Sequence, residues 1–245
     1  MFLQVCLNGA RRRVDHPRLP CTPAALAADA RECRAAGAES VHLHSKDHSG
    51  FDTLDREFVD EAVARVRSAC PGLPIGLTTG AWILPEPGQR LSAVRSWTHL
   101  PDFASVNWHE DGADEVASTL LERGIAIEAG LWHEGAVEAW LRSPLRENCA
   151  RVLLELPAGL SQARVHEFAT RMLTAIRDRA PAVAVLLHGE DDTAWPALDY
   201  AVSGRLATRI GFEDTLRMPD GSIAACNAAL VEQAARRVAQ ARRLS

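Results

Sequence analysis

Short apolar runs alternate with longer amphipathic segments along nearly all of this 245-residue chain, and that alternation constrains its fold more than any other feature. Eight short runs have the length and composition of β-strands, and they cover residues 3–7, 40–44, 74–79, 103–107, 125–129, 151–155, 183–188 and 207–210. Eight longer segments have helical periodicity, and they cover about 23–36, 55–69, 88–98, 113–123, 134–142, 161–179, 193–203 and 223–242. Strands that alternate with helices in this way predict a parallel sheet.

Eight strand-then-helix units are the number that closes a (β/α)8 barrel, a fold of about 250 residues. Thr22-Pro23 predicts the start of the first helix and Gly37 its end. No stretch rich in glycine, serine and proline divides the chain. We therefore predict the α/β class, with a single (β/α)8 TIM-barrel domain over residues 1–245. An open, doubly wound sheet remains the alternative, because periodicity alone does not show closure.

Composition and missing motifs exclude several functional classes. The formal net charge of −5 disfavours nucleic-acid binding, which needs a basic surface. No apolar run approaches the roughly 20 residues that span a bilayer, and the first residues, MFLQVCLNGARRR, lack the order of a signal peptide. The chain also lacks a P-loop, a strand-linked GxGxxG and a GxSxG nucleophile elbow. We expect a cytoplasmic protein that binds neither nucleic acid nor membrane.

Polar residues stand at the ends of the predicted strands, where a TIM barrel places its active site. They are Asn8-Gly9, His42 and His44, Thr78-Thr79-Gly80, Asn107-Trp108-His109-Glu110, Glu128, Glu155, His188-Gly189-Glu190, and the segment from Arg209 to Asp214. These segments converge on one face only if the sheet closes into a barrel. The pattern therefore predicts an active site built from several strand ends.

The triplet His42-Leu43-His44 is the first candidate for chemistry. Two histidines at i and i+2 on a strand point to the same side, because side chains alternate between faces. Neutral imidazoles bind zinc and similar divalent ions, and a carboxylate such as Glu213 would complete a catalytic three-ligand set. The alternative is one buried histidine bonded to a backbone carbonyl and a second that faces a polar layer. The carboxylate of Glu213 at a distant strand end favours the metal site.

The segment Arg209-Ile210-Gly211-Phe212-Glu213-Asp214 is the second candidate. Arginine beside aspartate orients that carboxylate and sets its basicity, as a general base requires. The alternative is an ion-pair cluster at a helix start. The apolar and glycine residues inside the segment indicate burial and favour a catalytic role.

Other strand ends carry weaker signals. Thr78, Thr79 and Gly80 offer hydroxyl and N–H groups to a carboxylate or carbonyl oxygen, although a turn with a helix cap is the favoured interpretation of this motif by itself. Asn107 and Glu128 are candidates for shaping the pocket. Four further residues are candidates for substrate specificity, namely Trp82, Trp108, Trp132 and His188. His109 and His188 are otherwise interpreted as ordinary hydrogen-bonded histidines.

Lys46 is the only lysine of the chain and lies two residues after His44. A lysine there could form a Schiff base with a ketone. It could instead pair with Asp47 or with a substrate carboxylate, and we favour this second interpretation because a metal ion supplies the electron sink without an imine.

Taken together, these motifs resemble the β-keto acid cleavage enzyme family, which includes 3-keto-5-aminohexanoate cleavage enzyme. The motifs are LNGA (7–10), PRLPCTPA (17–24), AGAESVHLHSKD (36–47), TTG (78–80), SVN (105–107) and RIGFEDTL (209–216). The combination of HxH with RxGxED is specific, and the resemblance covers almost the whole chain. It implies a (β/α)8 barrel that carries a divalent metal, usually zinc. It also implies that a β-keto acid and acetyl-CoA are converted into acetoacetate and a new acyl-CoA.

The resemblance also implies roles for individual residues. His42, His44 and Glu213 match the metal ligands, and Asp214 matches the catalytic base with Arg209 as its partner. Two further residues match substrate-handling positions of the family, since Thr78 orients substrate and Glu128 helps to activate it. Thr79, Gly80, Asn107 and Lys46 are our remaining candidates for substrate binding. Lys46 stands where the family carries arginine. We expect a homo-oligomer.

One alternative function is a metal-dependent lyase, aldolase or hydrolase on a TIM barrel that does not use coenzyme A. Amidohydrolase-like hydrolases place HxH on the first strand, whereas here it follows the second. A sensor that binds a keto acid without turnover is the remaining alternative, and no DNA-binding or partner module in the sequence supports it.

Overall fold

The computed structural model describes residues 1–243, and the strands found there form one parallel sheet of eight members. Their bounds are β1 Leu3–Cys6, β2 Ser40–Leu43, β3 Ile75–Thr78, β4 Phe103–Asn107, β5 Ala126–Leu131, β6 Cys149–Leu156, β7 Val185–Gly189 and β8 Thr208–Ile210. Each predicted strand is present. The neighbours β1 to β7 pair in chain order, and β8 pairs with β1. The predicted TIM barrel is confirmed.

The barrel is nearly closed, because β7 and β8 meet through one parallel bridge between Leu186 and Ala207. The amide of Leu187 donates to the carbonyl of Ala207 at 2.9 Å. The Thr208 hydroxyl donates to the Leu187 carbonyl at 2.8 Å. This contact joins the first and last members of the strand order and rules out the open sheet.

Eight α-helices follow the strands within the described part of the chain. Their bounds are α1 Pro23–Ala35, α2 Arg56–Ala69, α3 Pro87–Ser96, α4 Ala113–Glu122, α5 Glu134–Arg142, α6 Gln162–Arg177, α7 Ala194–Ser203 and α8 Asn227–Arg243. Thr22 caps α1 as predicted, since its side chain accepts from the amide of Ala25. The last helix begins at Asn227 instead of 223, because Ile223 forms an antiparallel bridge with Arg217.

Side-chain alternation divides each strand between two environments. Val41, Leu43, Ile75 and Leu77 belong to the hydrophobic core between the strands and the helices. The alternate positions, such as His42, project into the barrel, where polar residues collect at the end that active sites occupy. The apolar contacts between the helices and the strands thus stabilise the barrel, while the polar residues that are candidates for catalysis lie inside it.

No helix among residues 1–243 is both long and apolar enough to cross a membrane. The predicted single domain of residues 1–245 includes positions 244 and 245, which lie outside the described residues.

Candidate active site and metal centre

Three side chains from the two ends of the chain meet at the carboxyl end of the barrel. His42 Nε2 lies 3.8 Å from Glu213 Oε2, and His44 Nε2 lies 3.7 Å from Glu213 Oε1. One ligand atom from each residue lies within 4.8 Å of the other two. Ligands of a tetrahedral zinc ion lie about 3.3 Å apart, given bonds of about 2 Å. Small side-chain movements would therefore suffice for these residues to hold a divalent ion.

The backbone around the site explains why these residues meet. The side-chain amide of Asn8 makes two hydrogen bonds to the backbone of His44, both at 2.9 Å. Its Nδ2 donates to the His44 carbonyl, and its Oδ1 accepts from the His44 N–H. Gly9 has a left-handed φ of +54° and packs against the side chain of Glu213. The Glu213 N–H donates to the carbonyl of Cys6 at 3.2 Å. The β1 end thus fixes both the histidine strand and the glutamate.

Electrostatics at these residues suit a cation. Burial lowers the pKa of His42 to about 3, so this imidazole is neutral. Burial also lowers the pKa of His44, but the carboxylates of Glu213 and Asp52 outweigh it and raise the value to about 9. Glu213 Oε2 is buried without a hydrogen-bond partner. An ionised carboxylate with an unpartnered buried oxygen, beside a neutral imidazole, matches the donor set of a divalent ion, which would displace the His44 proton on binding.

A second buried cluster adjoins the ligands and contains Arg209, Asp214 and His188. Arg209 donates from Nε and Nη2 to Asp214 Oδ1 at 3.1 and 2.9 Å, and from Nη2 to Glu213 Oε1 at 3.0 Å. His188 Nδ1 lies 3.1 Å from Arg209 Nε. Asp214 Oδ2 is left without a hydrogen-bond partner. One carboxylate oxygen is therefore held while the other stays free for a proton.

The predicted view of His188 as an ordinary histidine was incomplete. Its ring spans two carboxylates, with Nδ1 at 3.3 Å from Asp214 and Nε2 at 3.6 Å from Glu155. Burial lowers the pKa of His188, and the positive charge of Arg209 acts in the same direction. Glu155 has its pKa raised to about 8 by burial, despite the opposing effect of Arg209. Asp214 therefore has a neutral imidazole beside it, and a protonated carboxyl group lies at the other nitrogen of that ring.

The mouth of the site is a cavity of about 420 Å³ that reaches the ligands. Trp82 and Trp132 form aromatic walls, and Glu155 and Glu190 add carboxyl groups. His109 packs against Trp132 with ring centroids 4.6 Å apart and the rings tilted by 50°. Trp108, predicted as a possible pocket residue, is buried, and its N–H donates to Asp114 at 3.2 Å. It belongs to the hydrophobic core instead.

Two of the four predicted residues around the TTG and SVN motifs line the deep end of the site. Thr78 and Asn107 face the same small cavity as the ligand residues. Asn107 donates to Glu110 at 2.9 Å, which fixes its amide. The Thr79 hydroxyl instead donates to the carbonyl of Ser105 at 2.7 Å. Gly80 contributes close packing, because a Cβ there would meet the Trp82 ring.

Glu128 and Lys46 are corrections to the predicted site. Glu128 is fully buried inside β5, where it accepts from Gln4 at 3.0 Å and pairs with Arg151 at 2.8 Å. It lies three residues before the strand ends, and so beneath the pocket.

Lys46 is buried, and its ammonium group donates to the carbonyls of Gly9 and Arg11 and to Asp52. Because every ammonium proton has an acceptor, neither a Schiff base nor a substrate contact fits, and its carboxylate partner is Asp52, not Asp47.

Asp52 is a site residue that sequence reasoning missed. Its carboxylate accepts from His44 Nδ1 and Trp82 Nε1, both at 3.1 Å. No strand end or recognised motif marks this position. A carboxylate eight residues after a candidate histidine ligand is the only signal that could have pointed to it.

These features define a TIM-barrel protein with a polar pocket at the carboxyl ends of its strands, containing a cluster able to hold a divalent ion beside an Arg–Asp pair. The family is shown by comparison with known proteins. A family model described as beta-keto acid cleavage enzyme matches residues 1–244. The chain belongs to this family, whose name indicates an enzyme that cleaves β-keto acids.

Relatives and solved structures agree with the family. The chain is 23% identical to 3-keto-5-aminohexanoate cleavage enzyme of Fusobacterium nucleatum, over 96% of this chain and 90% of the relative. It is 22% identical to the enzyme of the same name from Acetoanaerobium sticklandii, with the same coverage. A structure described as a ternary complex of ObcA with C4-CoA adduct and oxalate has a TM-score of 0.75 at 18% identity, covering 93% of this chain and 67% of that one. At that identity the structure supports the fold alone.

Proposed function

We propose that this protein is a divalent-metal-dependent β-keto acid cleavage enzyme that uses acetyl-CoA as co-substrate. Its products would be acetoacetate and a new acyl-CoA. The observation that carries the proposal is the approach of His42, His44 and Glu213 to within 4.8 Å, beside the Arg209–Asp214 pair. The name of ObcA's complex with a CoA adduct supports coenzyme A as the carrier. Zinc is the divalent ion that this ligand set fits best. The ion would act as a Lewis acid on the ketone oxygen of the substrate.

Asp214 is assigned the role of general base. Its free Oδ2 would take a proton from C2 of the β-keto acid, while Arg209 holds Oδ1 and orients the carboxylate. The C2 carbanion would attack the thioester carbonyl of acetyl-CoA and release the coenzyme A thiolate. That thiolate would attack the original ketone carbon, and the C2–C3 bond would break. The departing acetoacetate carbon regains its proton from Asp214, so atoms and charges balance.

The remaining pocket residues are assigned to binding. Thr78 and Asn107 line the deep cavity beside the ligands, and they would contact the substrate's oxygen atoms. His188 would help to position the Arg209–Asp214 pair, because its Nδ1 lies 3.1 Å from Arg209 Nε and 3.3 Å from Asp214 Oδ1. Trp82 and Trp132 would enclose the reacting atoms and exclude water.

The test measures metal and product on the same purified protein. Bound metal is quantified by elemental analysis, and acetoacetate release is followed for a panel of β-keto acids with and without acetyl-CoA. We expect about one zinc per chain and product only with acetyl-CoA. The variant His42→Ala should lose both, whereas His99→Ala, at an exposed histidine outside the site, should lose neither.

Product formation without acetyl-CoA would support the alternative of a metal-dependent lyase, aldolase or hydrolase. Failure to bind any divalent ion, even after reconstitution, would refute the metal site. The cytoplasmic location and the homo-oligomeric state stay predictions.

A further inference from the structure

One buried carboxylate outside the ligand set contacts both a ligand and the pocket wall. Asp52 Oδ2 accepts from His44 Nδ1 and from the indole N–H of Trp82, each at 3.1 Å. Its side chain is 7% exposed. The His44 and Trp82 rings stack with centroids 6.0 Å apart. A single group therefore holds the imidazole and the indole against each other.

The loop after β2 is folded so that Asp52 returns to the site. Lys46 and Asp52 form an antiparallel bridge, and the Asp47 N–H donates to the carbonyl of Phe51 at 2.8 Å. The Asp47 side chain accepts from the amides of Ser49 and Phe51 and closes the turn. These hydrogen bonds close the hairpin at its tip and return the Asp52 carboxylate to the site.

Lys46 ties the same carboxylate to the β1 loop. Its ammonium donates to Asp52 Oδ1 and to the carbonyl of Gly9, and Gly9 in turn packs against Glu213. The buried charge of Asp52 is thereby neutralised without occupying Oδ2. The loops that carry His44, Glu213 and Trp82 are thus linked through one ion pair.

We propose that Asp52 is the positioning residue of this site, coupling occupancy of the metal cluster to the placement of Trp82. The Asp52 carboxylate accepts a hydrogen bond from His44 Nδ1–H, and this bond fixes the tautomer in which Nε2 is free to act as a ligand. The same oxygen anchors Trp82, so an ion that fixes His44 also fixes the aromatic wall. The inference rests on the metal dependence proposed above, and it concerns residues that do not touch the ion.

The experiment uses the full chain, stripped of metal by a chelator and titrated with Zn²⁺ against a chromophoric competitor. Asp52→Asn should bind zinc about 10–100-fold more weakly, the range found for outer partners of ligating histidines. Asp60→Asn is the matched control. Asp60 also accepts three hydrogen bonds, from Thr98 and His99, but it lies outside the site. This control should bind zinc as the unmodified chain does.

Fluorescence supplies a readout that a merely structural role would not move. Trp82 is 47% exposed, so a quencher such as acrylamide reaches it. Zinc should reduce quenching in the unmodified chain and in Trp132→Phe, but not in Trp82→Phe. This comparison stays decisive should Asp52→Asn fold poorly, because both tryptophan variants keep Asp52.

The outcomes separate this inference from the proposed function. If the unmodified chain binds no zinc or other divalent ion, the proposed function fails and this coupling fails with it. If it binds zinc but Asp52→Asn binds equally well, only the positioning role is overturned. A zinc-dependent change that persists in Trp82→Phe likewise overturns the coupling.

Discussion

Gly9→Ala should disable the metal cluster without removing any of its ligands. Gly9 has a φ of +54°, and a Cβ built there would lie 2.5 Å from Glu213 Cγ, 2.8 Å from its Cβ and 3.0 Å from its Cα. Non-bonded carbon atoms prefer about 3.5–4 Å. The glutamate, including its backbone, would therefore have to retreat by about 1 Å. Metal–ligand distances tolerate only about 0.2 Å, so a shift of the Glu213 backbone weakens the contact between its carboxylate and the ion.

The size of the effect follows from two separate contributions. An L-residue in the left-handed region costs about 1–2 kcal/mol, and the steric overlap adds about 1–3 kcal/mol. For a chain of this length each kcal/mol lowers Tm by about 2–4 °C. A misplacement of about 1 Å at the chemistry costs about 100-fold in turnover. Zinc affinity should fall by at least about tenfold.

Gly124→Ala separates the effect of the steric overlap with Glu213 from the effect of backbone strain. Gly124 also has a positive φ, +73°, but a Cβ there would meet nothing within 4 Å. It follows α4, away from the site. Both variants should lose stability in thermal unfolding, and only Gly9→Ala should lose zinc in competitive titration. Equal zinc affinity and turnover in the two variants would refute the reasoning.

Three further predictions concern the base, a buried acid and a buried ion pair. Asp214→Asn should keep its zinc, measured by elemental analysis, but lose turnover by about 100- to 10,000-fold, because the amide cannot take the substrate's proton; near-normal turnover would remove Asp214 from its role. Burial raises the pKa of Asp29 from 3.8 to about 6, although Asn227 donates to it. The folded state therefore binds the proton more tightly than the unfolded state. Stability from this group is present below pH 4 and is lost as pH rises through 6, by at most about 3 kcal/mol at 1.36 kcal/mol per pKa unit. Urea unfolding across this range should show that loss relative to Asp29→Asn; parallel profiles would contradict it. Arg90→Met should lower the free energy of unfolding by about 3–5 kcal/mol, because it leaves Glu110, 2.8 Å away, buried without its cation. Arg67→Met, at an exposed pair with Asp102, should cost at most about 1 kcal/mol, and equal losses would argue against the buried pair.

The parts of the site that the sequence predicts well depend on local geometry. His42 and His44 share a face because side chains alternate. Arg209 reaches Asp214 because the chain turns directly after β8, where the Asp214 N–H donates to the Gly211 carbonyl. The fold follows from the same kind of pattern, since strand and helix periods repeat eight times. These relations need only the spacing of neighbouring residues.

The errors arise where position depends on distant segments. Glu128 was placed at a strand end, but β5 continues to Leu131 and the side chain meets Gln4 and Arg151 from other strands. Lys46 was expected to pair with Asp47 or with a substrate carboxylate, but β2 ends at Leu43 and the chain turns back in a hairpin that brings Asp52 to the ammonium group. The position of a residue along its strand and the direction of the following loop depend on packing across the barrel. The spacing of neighbouring residues in one sequence does not reveal that packing.

The single bridge between β7 and β8 gives the barrel a seam, and the site lies across it. His188 lies one residue before the end of β7, while Arg209 and Asp214 belong to β8 and its loop. Their contacts therefore join the two strands where few backbone hydrogen bonds do so. Local opening in proteins begins where backbone bonding is sparse. A ligand that orders these three side chains should therefore also stabilise the contact between β7 and β8. Amide hydrogen exchange in β7 and β8 should then slow on ligand binding more than exchange in β3 and β4.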